Sequence, residues 1–310
     1  MTKTTPYDPE LARARFIPRF SFGPRLAPLM RRQKPKTTNP GPGVRIDEIG
    51  ISSSVSLHLI RPTSPAGPVP VLLWIHGGGH LFGTPEQDDR SNIAFVRELG
   101  IAVAAVRYRL GADAPAPASV QDCYTALEAV IERASEFGID AGRLAIGGAS
   151  AGGGIAAALV LYAHDRGMSP AALQLLVYPM LDDRTAARTD HDTRNARGWT
   201  AKSNHYGWAT YLGVPPGSDE VSDYAAPARR ADLTGLPPAW IGVGTVDIFH
   251  DEDVEYARRL IETGAECELH VIPGAFHGFD QMFPTTRVAQ DFWRSQADAL
   301  RRAGVASTLR

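Results

Sequence analysis

The feature that most constrains the fold is a glycine-rich turn between a short apolar run and a long uncharged one. Leu144 to Ile146 predicts a buried strand, and the alanine- and leucine-rich residues after the turn predict a helix. The turn itself reads Gly148-Ala149-Ser150-Ala151-Gly152. Glycines on both sides of a serine permit a tight, strained bend, because side chains there would collide with the strand or the helix. We interpret the turn as a nucleophile elbow, which holds a serine hydroxyl above the edge of a sheet.

Three other interpretations of this stretch compete with the elbow. Leu144 to Ala163 contains no charged residue, as in a membrane-spanning helix, but it is poor in large apolar side chains and rich in glycine. The run Gly147-x-Ala149-x-x-Gly152 comes close to a dinucleotide-binding turn, but the acidic residue expected about 20 residues later is absent before Asp182. The third alternative is an ordinary glycine-rich turn, which only the rest of the chain can exclude.

Strand and helix patterns alternate through most of the chain, which predicts an α/β fold with a mostly parallel central sheet covered by helices on both faces. Besides the elbow strand, we predict strands at Val44 to Ile51, Val55 to Ile60, Val71 to Ile75, Ile101 to Val106, Leu173 to Tyr178, Trp240 to Val243 and Leu269 to Ile272. The first two alternate apolar and polar residues, as antiparallel edge strands do. We predict further helices at Val120 to Phe137, Asp253 to Glu262 and Val288 to Arg302.

Two segments depart from this alternation. Residues 1–43 are basic and rich in proline, which indicates either a poorly ordered tail or short helices packed on the core. Residues 182–236 hold many aromatic and polar residues without regular alternation, which is typical of a lid. We therefore divide the chain into an N-terminal cap segment (1–43), the first part of the core (44–181), a cap insertion (182–236) and the second part of the core (237–310).

Charge and cysteine content exclude several classes of partner. The formal net charge of −2 gives no reason to expect a nucleic acid or stable anchoring on an anionic membrane. Cys123 and Cys267 lack metal or redox spacing, so we expect two free thiols in a reducing compartment. Because no hydrophobic secretion signal is visible at the N-terminus, we expect a cytoplasmic protein.

Three residues at predicted strand ends have the chemistry of acyl transfer, which needs a nucleophile, a proton shuttle and an acid that orients the shuttle. Ser150 is the candidate nucleophile. His277 follows the last predicted strand in a loop bounded by proline and glycine, and it is the candidate base. Asp247 ends a predicted strand and is the candidate acid. Asp251 is its rival, and a helix N-cap role is the alternative for either.

The run His76-Gly77-Gly78-Gly79 follows a buried predicted strand and supplies the donors that an oxyanion needs. Consecutive glycines let backbone N–H groups turn towards one point without interfering side chains. Together with the N–H of Ala151, they predict an oxyanion hole. A flexible glycine loop is the alternative.

These motifs together resemble the hormone-sensitive-lipase-like branch of the α/β-hydrolases, which contains many bacterial carboxylesterases. The resemblance rests on the order and spacing of His76 to Gly79, Tyr108-Arg109-Leu110, Asp140 to Arg143, Gly148 to Gly153, Tyr178-Pro179, Asp247 to Glu252 and His277-Gly278-Phe279. It implies the α/β-hydrolase fold with a helical cap built from the N-terminal segment and the 182–236 insertion. It also implies a triad of Ser150, Asp247 and His277, oxyanion N–H groups from Gly77, Gly78 and Ala151, and no metal or organic cofactor.

The sequence departs from the family pattern at three places. Ala149 stands where the family commonly has aspartate, and His80 stands where it usually has an aromatic residue. Gly111 to Asp113 replaces the usual Ala-Pro-Glu. We expect Arg109 to be structural and paired with Asp122. The side chains that we expect to line the substrate pocket are His80, Leu81, Phe82, Trp208 and Phe279.

We therefore predict a serine carboxylesterase that hydrolyses small, short-to-medium acyl esters through an acyl-enzyme intermediate. Amide, lactone or carbonate hydrolysis would use the same groups. A non-catalytic small-molecule receptor on the same fold is an alternative from another class, although such receptors in this branch have lost the histidine that His277 provides here. A nucleotide-dependent oxidoreductase would leave the histidine loop and the glycine triplet unexplained. Pairing of an exposed final strand across a two-fold axis would give a homodimer.

Overall fold

The computed structural model describes residues 6–33, 38–168, 171–188 and 193–307. Its centre is an eight-stranded sheet in the order β1-β2-β4-β3-β5-β6-β7-β8. The strands are β1 Val44–Gly50, β2 Ser56–Pro62, β3 Val69–Ile75, β4 Ala102–Arg107, β5 Ile139–Ala149, β6 Leu173–Val177, β7 Ala239–Gly244 and β8 Cys267–Ile272. Strand β2 pairs antiparallel with β1 and β4, and all other neighbours pair in parallel. The predicted mostly parallel sheet is therefore confirmed.

Within the described ranges the chain forms α-helices and four short 3-10 helices. The α-helices are α1 Ala27–Arg31, α2 Asp89–Leu99, α3 Ala118–Glu132, α4 Ala134–Phe137, α5 Ala151–His164, α6 Ala201–Leu212, α7 His250–Glu262, α8 Phe279–Met282 and α9 Arg287–Arg302. The 3-10 helices are Pro9–Phe16, Pro85–Asp88, Asp183–Ala187 and Pro227–Arg229. The single helix predicted from Val120 to Phe137 is wrong, because Arg133 leaves helical geometry and separates α3 from α4. None of the described helices is long and apolar enough to cross a bilayer.

The sheet is buried on both faces, and alternate residues of its central strands enter different apolar clusters. In β3, Leu73 and Ile75 pack with α3, α5 and α7, whereas Leu72 and Trp74 pack with α2 and α9. Each fully buried Leu or Ile side chain contributes about 1.5–3 kcal/mol relative to an exposed one. The centre of the sheet is therefore the rigid part of the molecule, and its strand ends are fixed points for side chains that follow them.

The N-terminal segment packs on the 182–236 insertion. The backbone N–H of Phe22 donates to Ser203 Oγ at 2.9 Å, and Arg197 Nε donates to the carbonyl of Ala14 at 3.1 Å. The Phe22 ring stacks on the Trp199 ring with 5.6 Å between centroids. Of the two interpretations offered for residues 1–43, short packed helices therefore fit the described part of the segment. Residues 1–5, where we expect no secretion signal, lie outside the described ranges.

Buried carboxyl groups fix the start of the insertion to the core and its two ends to each other. Glu252 on α7 accepts hydrogen bonds from the backbone N–H groups of Leu181 and Asp182, at 2.8 and 3.2 Å. The fully buried Asp183 accepts from Nε and Nη2 of Arg229, at 2.6 and 2.9 Å, and so joins the two ends of the insertion. The start of the insertion is thus held on α7, and its last turn is held on its start.

Both cysteines are free thiols, as the sequence predicts; Cys123 is buried and Cys267 is half-buried. Cys267 begins β8, which is the edge strand of the sheet. Pairing of two β8 strands across a two-fold axis stays a prediction.

The predicted pair of Arg109 and Asp122 is present. Asp122, which is 4% exposed, accepts from Arg109 Nε at 2.9 Å and from Nη2 at 2.8 Å. It also accepts from the backbone N–H of Arg109 at 2.9 Å. The pair therefore joins the chain after β4 to helix α3.

We expect Arg109→Ala to lower the melting temperature, because it removes two donors from a buried carboxylate. The guanidinium is 40% exposed and the backbone donor stays, so the loss of unfolding free energy should be only about 1–2 kcal/mol. Thermal denaturation measures the effect. Arg258→Ala, which removes an exposed pair within α7, is the control and should leave the melting temperature unchanged. An unchanged melting temperature in Arg109→Ala would contradict the structural role.

A buried histidine ties the antiparallel edge to α2. His58 on β2 contacts Glu48 through Nδ1 and Asp89 through Nε2, the latter at 2.9 Å. Burial alone would lower the pKa of His58, but the hydrogen bonds to Asp89 and Glu48 outweigh burial and raise this pKa above its usual value. The folded chain therefore holds the His58 proton more tightly than the unfolded chain does.

The stabilisation from His58 should be complete below the unfolded-state pKa of about 6.5 and should disappear as the pH rises through the higher folded-state value. We therefore expect His58→Gln to lose more unfolding free energy at pH 6 than at pH 9. Denaturant unfolding at the two pH values tests this. His164→Gln, at an exposed position, should show no such difference. An equal loss at both pH values would mean that the charge of His58 contributes nothing.

Candidate active site

Ser150 lies at the bend between β5 and α5 in a strained backbone conformation. Its φ of 59° and ψ of −124° fall outside the regions that residues with side chains ordinarily adopt. Backbone hydrogen bonds hold it from two directions: Ser150 N–H donates to Val177 O at 2.9 Å, and Met180 N–H donates to Ser150 O at 3.0 Å. The strain therefore persists because β6 and the residues after it fix the bend.

The two glycines of the motif are required by close backbone contacts. A Cβ on Gly148 would lie 2.4 Å from the carbonyl oxygen of Gly152, and a Cβ on Gly152 would lie 2.1 Å from that of Ile75. Both distances are shorter than real Cβ contacts, so no side chain fits at either position. Helix α5 consequently begins directly against the end of β3, and Ser150 is presented at that edge of the sheet.

A chain of hydrogen bonds connects the three residues that the sequence singles out. His277 Nε2 lies 2.8 Å from Ser150 Oγ, and His277 Nδ1 lies 2.8 Å from Asp247 Oδ2. Because a carboxylate only accepts, Nδ1–H donates to Asp247, which leaves Nε2 as the acceptor for the Ser150 hydroxyl. The backbone N–H of Phe249 donates to the other Asp247 oxygen at 3.1 Å.

The rival acid lies elsewhere. The Asp251 side chain is 66% exposed and contacts His250 and Arg188. The structure therefore brings Asp247, and not Asp251, to the imidazole of His277.

The connected side chains are almost closed off from solvent. Ser150, Asp247 and His277 are each 7% exposed. The rings of Tyr178 and Phe249 meet the imidazole edge-on, with centroids 4.7 and 5.1 Å from its own. In such surroundings water screens the hydrogen-bonded chain weakly, so its polar contacts are stronger than at a surface.

The glycine triplet lies against the serine. A Cβ on Gly77 would be 3.2 Å from Ser150 Cβ, and Gly78 has a φ of 119°, which favours glycine. Ala151 is the first residue of α5, so its N–H has no acceptor within the helix. The three peptide groups predicted to face an oxyanion are thus gathered at the start of α5 and the end of β3.

His76 supports this loop and does not titrate near neutral pH. Its Nδ1–H donates to the carbonyl of Gly77 at 2.8 Å, and its ring stacks on Tyr108 with 4.4 Å between centroids. Burial lowers the pKa of His76 to about 4. The neutral imidazole therefore fixes the peptide plane at Gly77 without adding charge.

The side chains predicted to line the pocket divide between two places. Leu81, Phe82 and Trp208 join an apolar cluster with Ala151 and Phe249 at the elbow. Phe279 does not join them. It is fully buried against Phe292 in the cluster formed with α2 and α9, because α8 turns its ring towards α9.

His80 is buried against aromatic side chains of the insertion. Its ring stacks on Tyr211 with 3.8 Å between centroids and lies 5.6 Å from the Trp208 ring. Among the described residues neither of its ring nitrogens has a hydrogen-bond partner, and burial lowers the pKa of His80 to about 3. His80 therefore stays neutral near pH 7.

Sequence reasoning gave Tyr178 and Asp280 no role, yet both adjoin His277. The Tyr178 hydroxyl donates to Asp280 Oδ1 at 3.0 Å while its ring contacts the imidazole. Tyr178 has a φ of 35°. The sequence does give one indication of a role for Asp280: it stands only three residues after His277 and so lies close to the histidine loop.

One group of possible metal ligands is found in the part of the chain that the structure describes. Glu48, His58 and Glu86 bring ligand atoms within 4.8 Å of one another. Arg107 pairs with Glu86 at 2.5 Å and with Glu48 at 3.8 Å, so the carboxylate charge is already compensated. We assign no metal to this cluster.

The comparison with known families matches this geometry. Residues 72–281 match a family model described as an alpha/beta hydrolase fold. This match spans β3 to α8 and therefore includes the elbow, the glycine triplet and the histidine loop.

Two similar proteins and one solved structure are themselves named as esterases or ester hydrolases. The chain is 34% identical to Esterase LipI of Mycobacterium tuberculosis over 224 residues, 70% of this chain and 68% of LipI. It is 31% identical to an ethyl acetate hydrolase of Pseudomonas putida over 74% of this chain and 72% of that protein. The structure of a bacterial heroin esterase superimposes with a TM-score of 0.85 at 39% identity, covering 96% of this chain and 98% of the other.

The motifs, the sheet and these matches agree from β3 onward. The chain therefore belongs to the hormone-sensitive-lipase-like carboxylesterases of the α/β-hydrolase fold, and it is a carboxylic ester hydrolase.

Proposed function

We propose that this esterase cleaves small, short-to-medium acyl esters with Ser150 as nucleophile, His277 as general base and Asp247 as the acid that orients the histidine. The observation that carries the proposal is the hydrogen-bonded chain from Ser150 Oγ through His277 to Asp247, with both links at 2.8 Å. A nucleophile needs a base within about 2.6–3.2 Å, and the base needs a third group that fixes its tautomer.

In the first half of the reaction, His277 Nε2 takes the Ser150 proton as Oγ attacks the ester carbonyl carbon. The bond from Oγ to carbon forms while the carbonyl π electrons move onto oxygen. Asp247 stabilises the imidazolium without taking its proton. Collapse of the tetrahedral intermediate breaks the bond to the alcohol oxygen, which receives the proton from His277 and leaves an acyl-serine.

In the second half, water attacks the acyl-serine. His277 takes a proton from the water and returns it to Ser150 Oγ as the acid leaves. The net reaction adds one water across the ester bond. It needs no cofactor, since each proton moves between His277 and an oxygen.

We assign the oxyanion donors to the N–H groups of Gly77, Gly78 and Ala151. Two observations support this: Gly77 packs on Ser150, and the N–H of Ala151 has no acceptor within α5. Each such donor contributes about 3–4 kcal/mol to transition-state stabilisation in related chemistry. The start of α5 also favours negative charge through its peptide dipoles.

The preference for short acyl groups follows from what covers the glycine loop. A Cβ on Gly79 would lie 2.0 Å from the Trp199 ring, so the insertion rests directly on the triplet. Leu81 and Trp208 are buried in the same cluster. The relative from Pseudomonas putida is named for ethyl acetate, which has a two-carbon acyl group. We therefore assign this chain a confined acyl site beneath the insertion.

Ser150→Ala should abolish turnover of an aryl acetate, with kcat falling by about 10⁴-fold or more, because no other group supplies the attacking oxygen. Steady-state kinetics on the purified full chain measure this. Ser119→Ala is the control; it removes another buried hydroxyl, on α3, and should stay active. Substantial turnover by Ser150→Ala would end the proposed mechanism.

A panel of aryl esters with acyl chains of two, four, eight and twelve carbons should show kcat/KM highest for the two shortest. We expect at least a tenfold decrease between four and twelve carbons, because a longer chain must displace buried rings. The same panel on Ser150→Ala corrects for spontaneous hydrolysis. A preference for the longest chain would contradict a confined acyl site, and turnover of the matching anilides or lactones would widen the substrate class.

A further inference from the structure

A second carboxyl group is linked to the proposed base through one tyrosine side chain. Tyr178 contacts two partners: its ring meets the His277 imidazole edge-on, and its hydroxyl donates to Asp280 Oδ1 at 3.0 Å. Tyr178 is 2% exposed. We propose that Asp280 is a positioning residue whose negative charge, held by Tyr178, stabilises the imidazolium form of His277 during catalysis. This inference rests on the proposed role of His277 as the base.

The charges of Asp280 and His277 interact. Burial raises the pKa of Asp280 above its usual value, whereas the Tyr178 hydroxyl, backbone N–H groups and a charge on His277 act in the opposite direction. Such coupling is reciprocal. Because a charge on His277 favours the ionised form of Asp280, the Asp280 carboxylate favours the imidazolium form of His277 to the same extent. Of these two carboxyl groups, Asp247 hydrogen-bonds directly to the imidazole, whereas Asp280 bonds to Tyr178 and adds a second favourable charge.

A second buried carboxyl group, Asp88, lies near Asp280 and interacts with it. Asp88 accepts from Trp74 Nε1 at 2.8 Å and from Gln281 Nε2 at 3.0 Å, which fastens the residue after Asp280 to the core. Burial raises the pKa of Asp88 to about 7, and the charge of Asp280 adds to this increase. Two close carboxylates resist ionising together, so the charge of Asp280 favours the protonated form of Asp88.

The other charged groups near this cluster act at longer range. Asp253, fully buried on α7, interacts with Asp247. Arg90 and Arg294 line a cavity of about 460 Å³ together with Asp88 and Asp280. The cations that line this cavity come from α2 and α9, not from the histidine loop. Asp280, in contrast, follows the histidine loop and accepts a hydrogen bond from the hydroxyl of Tyr178, whose ring touches His277.

Asp280→Asn tests the inference, because asparagine keeps the size and an oxygen acceptor for Tyr178 while removing the charge. We expect kcat for an aryl acetate to fall about three- to tenfold with KM nearly unchanged. The acidic limb of the pH profile of kcat/KM should move down by about half a pH unit or more, since an imidazole without this neighbour gives up its proton more readily. A merely structural role would not move this limb.

Asp298→Asn is the matched control. It removes the same charge from an exposed position on α9 and should leave both kcat and the limb unchanged. An unmoved limb in Asp280→Asn, or an equal shift in Asp298→Asn, would overturn the inference. Neither result would affect the Ser150→Ala test, so failure here is distinguishable from failure of the triad.

If Asp280→Asn does not fold, as judged by its melting temperature, Tyr178→Phe provides the second test. Phenylalanine keeps the ring against His277 and removes the donor to Asp280, which makes the carboxylate easier to protonate. The limb should then shift in the same direction by a smaller amount. An unmoved limb in Tyr178→Phe, with Asp280 intact, would also overturn the inference.

Discussion

The strained backbone of Ser150 is the constraint on which the rest of the site depends. A residue with a side chain at a φ of 59° costs on the order of 1–3 kcal/mol, so its surroundings must hold it there. The holding groups are backbone atoms of β6 and of the residues that follow it, at Val177 and Met180, and the end of β3 at Ile75. All three residues are buried, and Val177 and Ile75 end strands at the centre of the sheet. Rigidity of the core is therefore what fixes the serine hydroxyl relative to the histidine loop.

The buried histidines of this chain differ in behaviour because their neighbours differ. His76 and His80 are buried without a carboxylate at the ring, and burial lowers the pKa of each. His58 is also buried, but two carboxylates reverse the direction of the shift. His277 has one carboxylate at Nδ1 and a hydroxyl at Nε2. That combination fixes one tautomer and leaves the other nitrogen facing a donor, as a general base requires.

The sequence predicts what depends on local pattern and misses what depends on packing. Strand positions, the serine turn and the Arg109–Asp122 pair follow from periodicity and motif spacing. The early start of β5 does not follow from the sequence pattern. Ile139 joins the sheet by pairing with Val69, and the register of the two strands shifts after Pro70. The choice of Asp247 over Asp251 needed the distance to His277. Phe279 and Asp280 come shortly after His277 in the sequence. Only the turn into α8 decides that the Phe279 ring faces α9 and that the Asp280 carboxylate faces Tyr178.

The third glycine of the triplet shows how the cap and the reaction centre are joined. Gly79 leaves room for the Trp199 ring, and its carbonyl lies so close to α6 that a Cβ on Gly207 would come within 2.6 Å of it. The ring of Trp199 is in turn stacked on Phe22 of the N-terminal segment. Glycine is thus required at position 79 because a Cβ there would collide with the Trp199 ring. Under the proposed role of the Gly77 and Gly78 N–H groups as oxyanion donors, a repacking of the cap that displaces Trp199 would also shift those donors relative to Ser150. The proposed acyl site and the proposed oxyanion donors would then be coupled through one short loop.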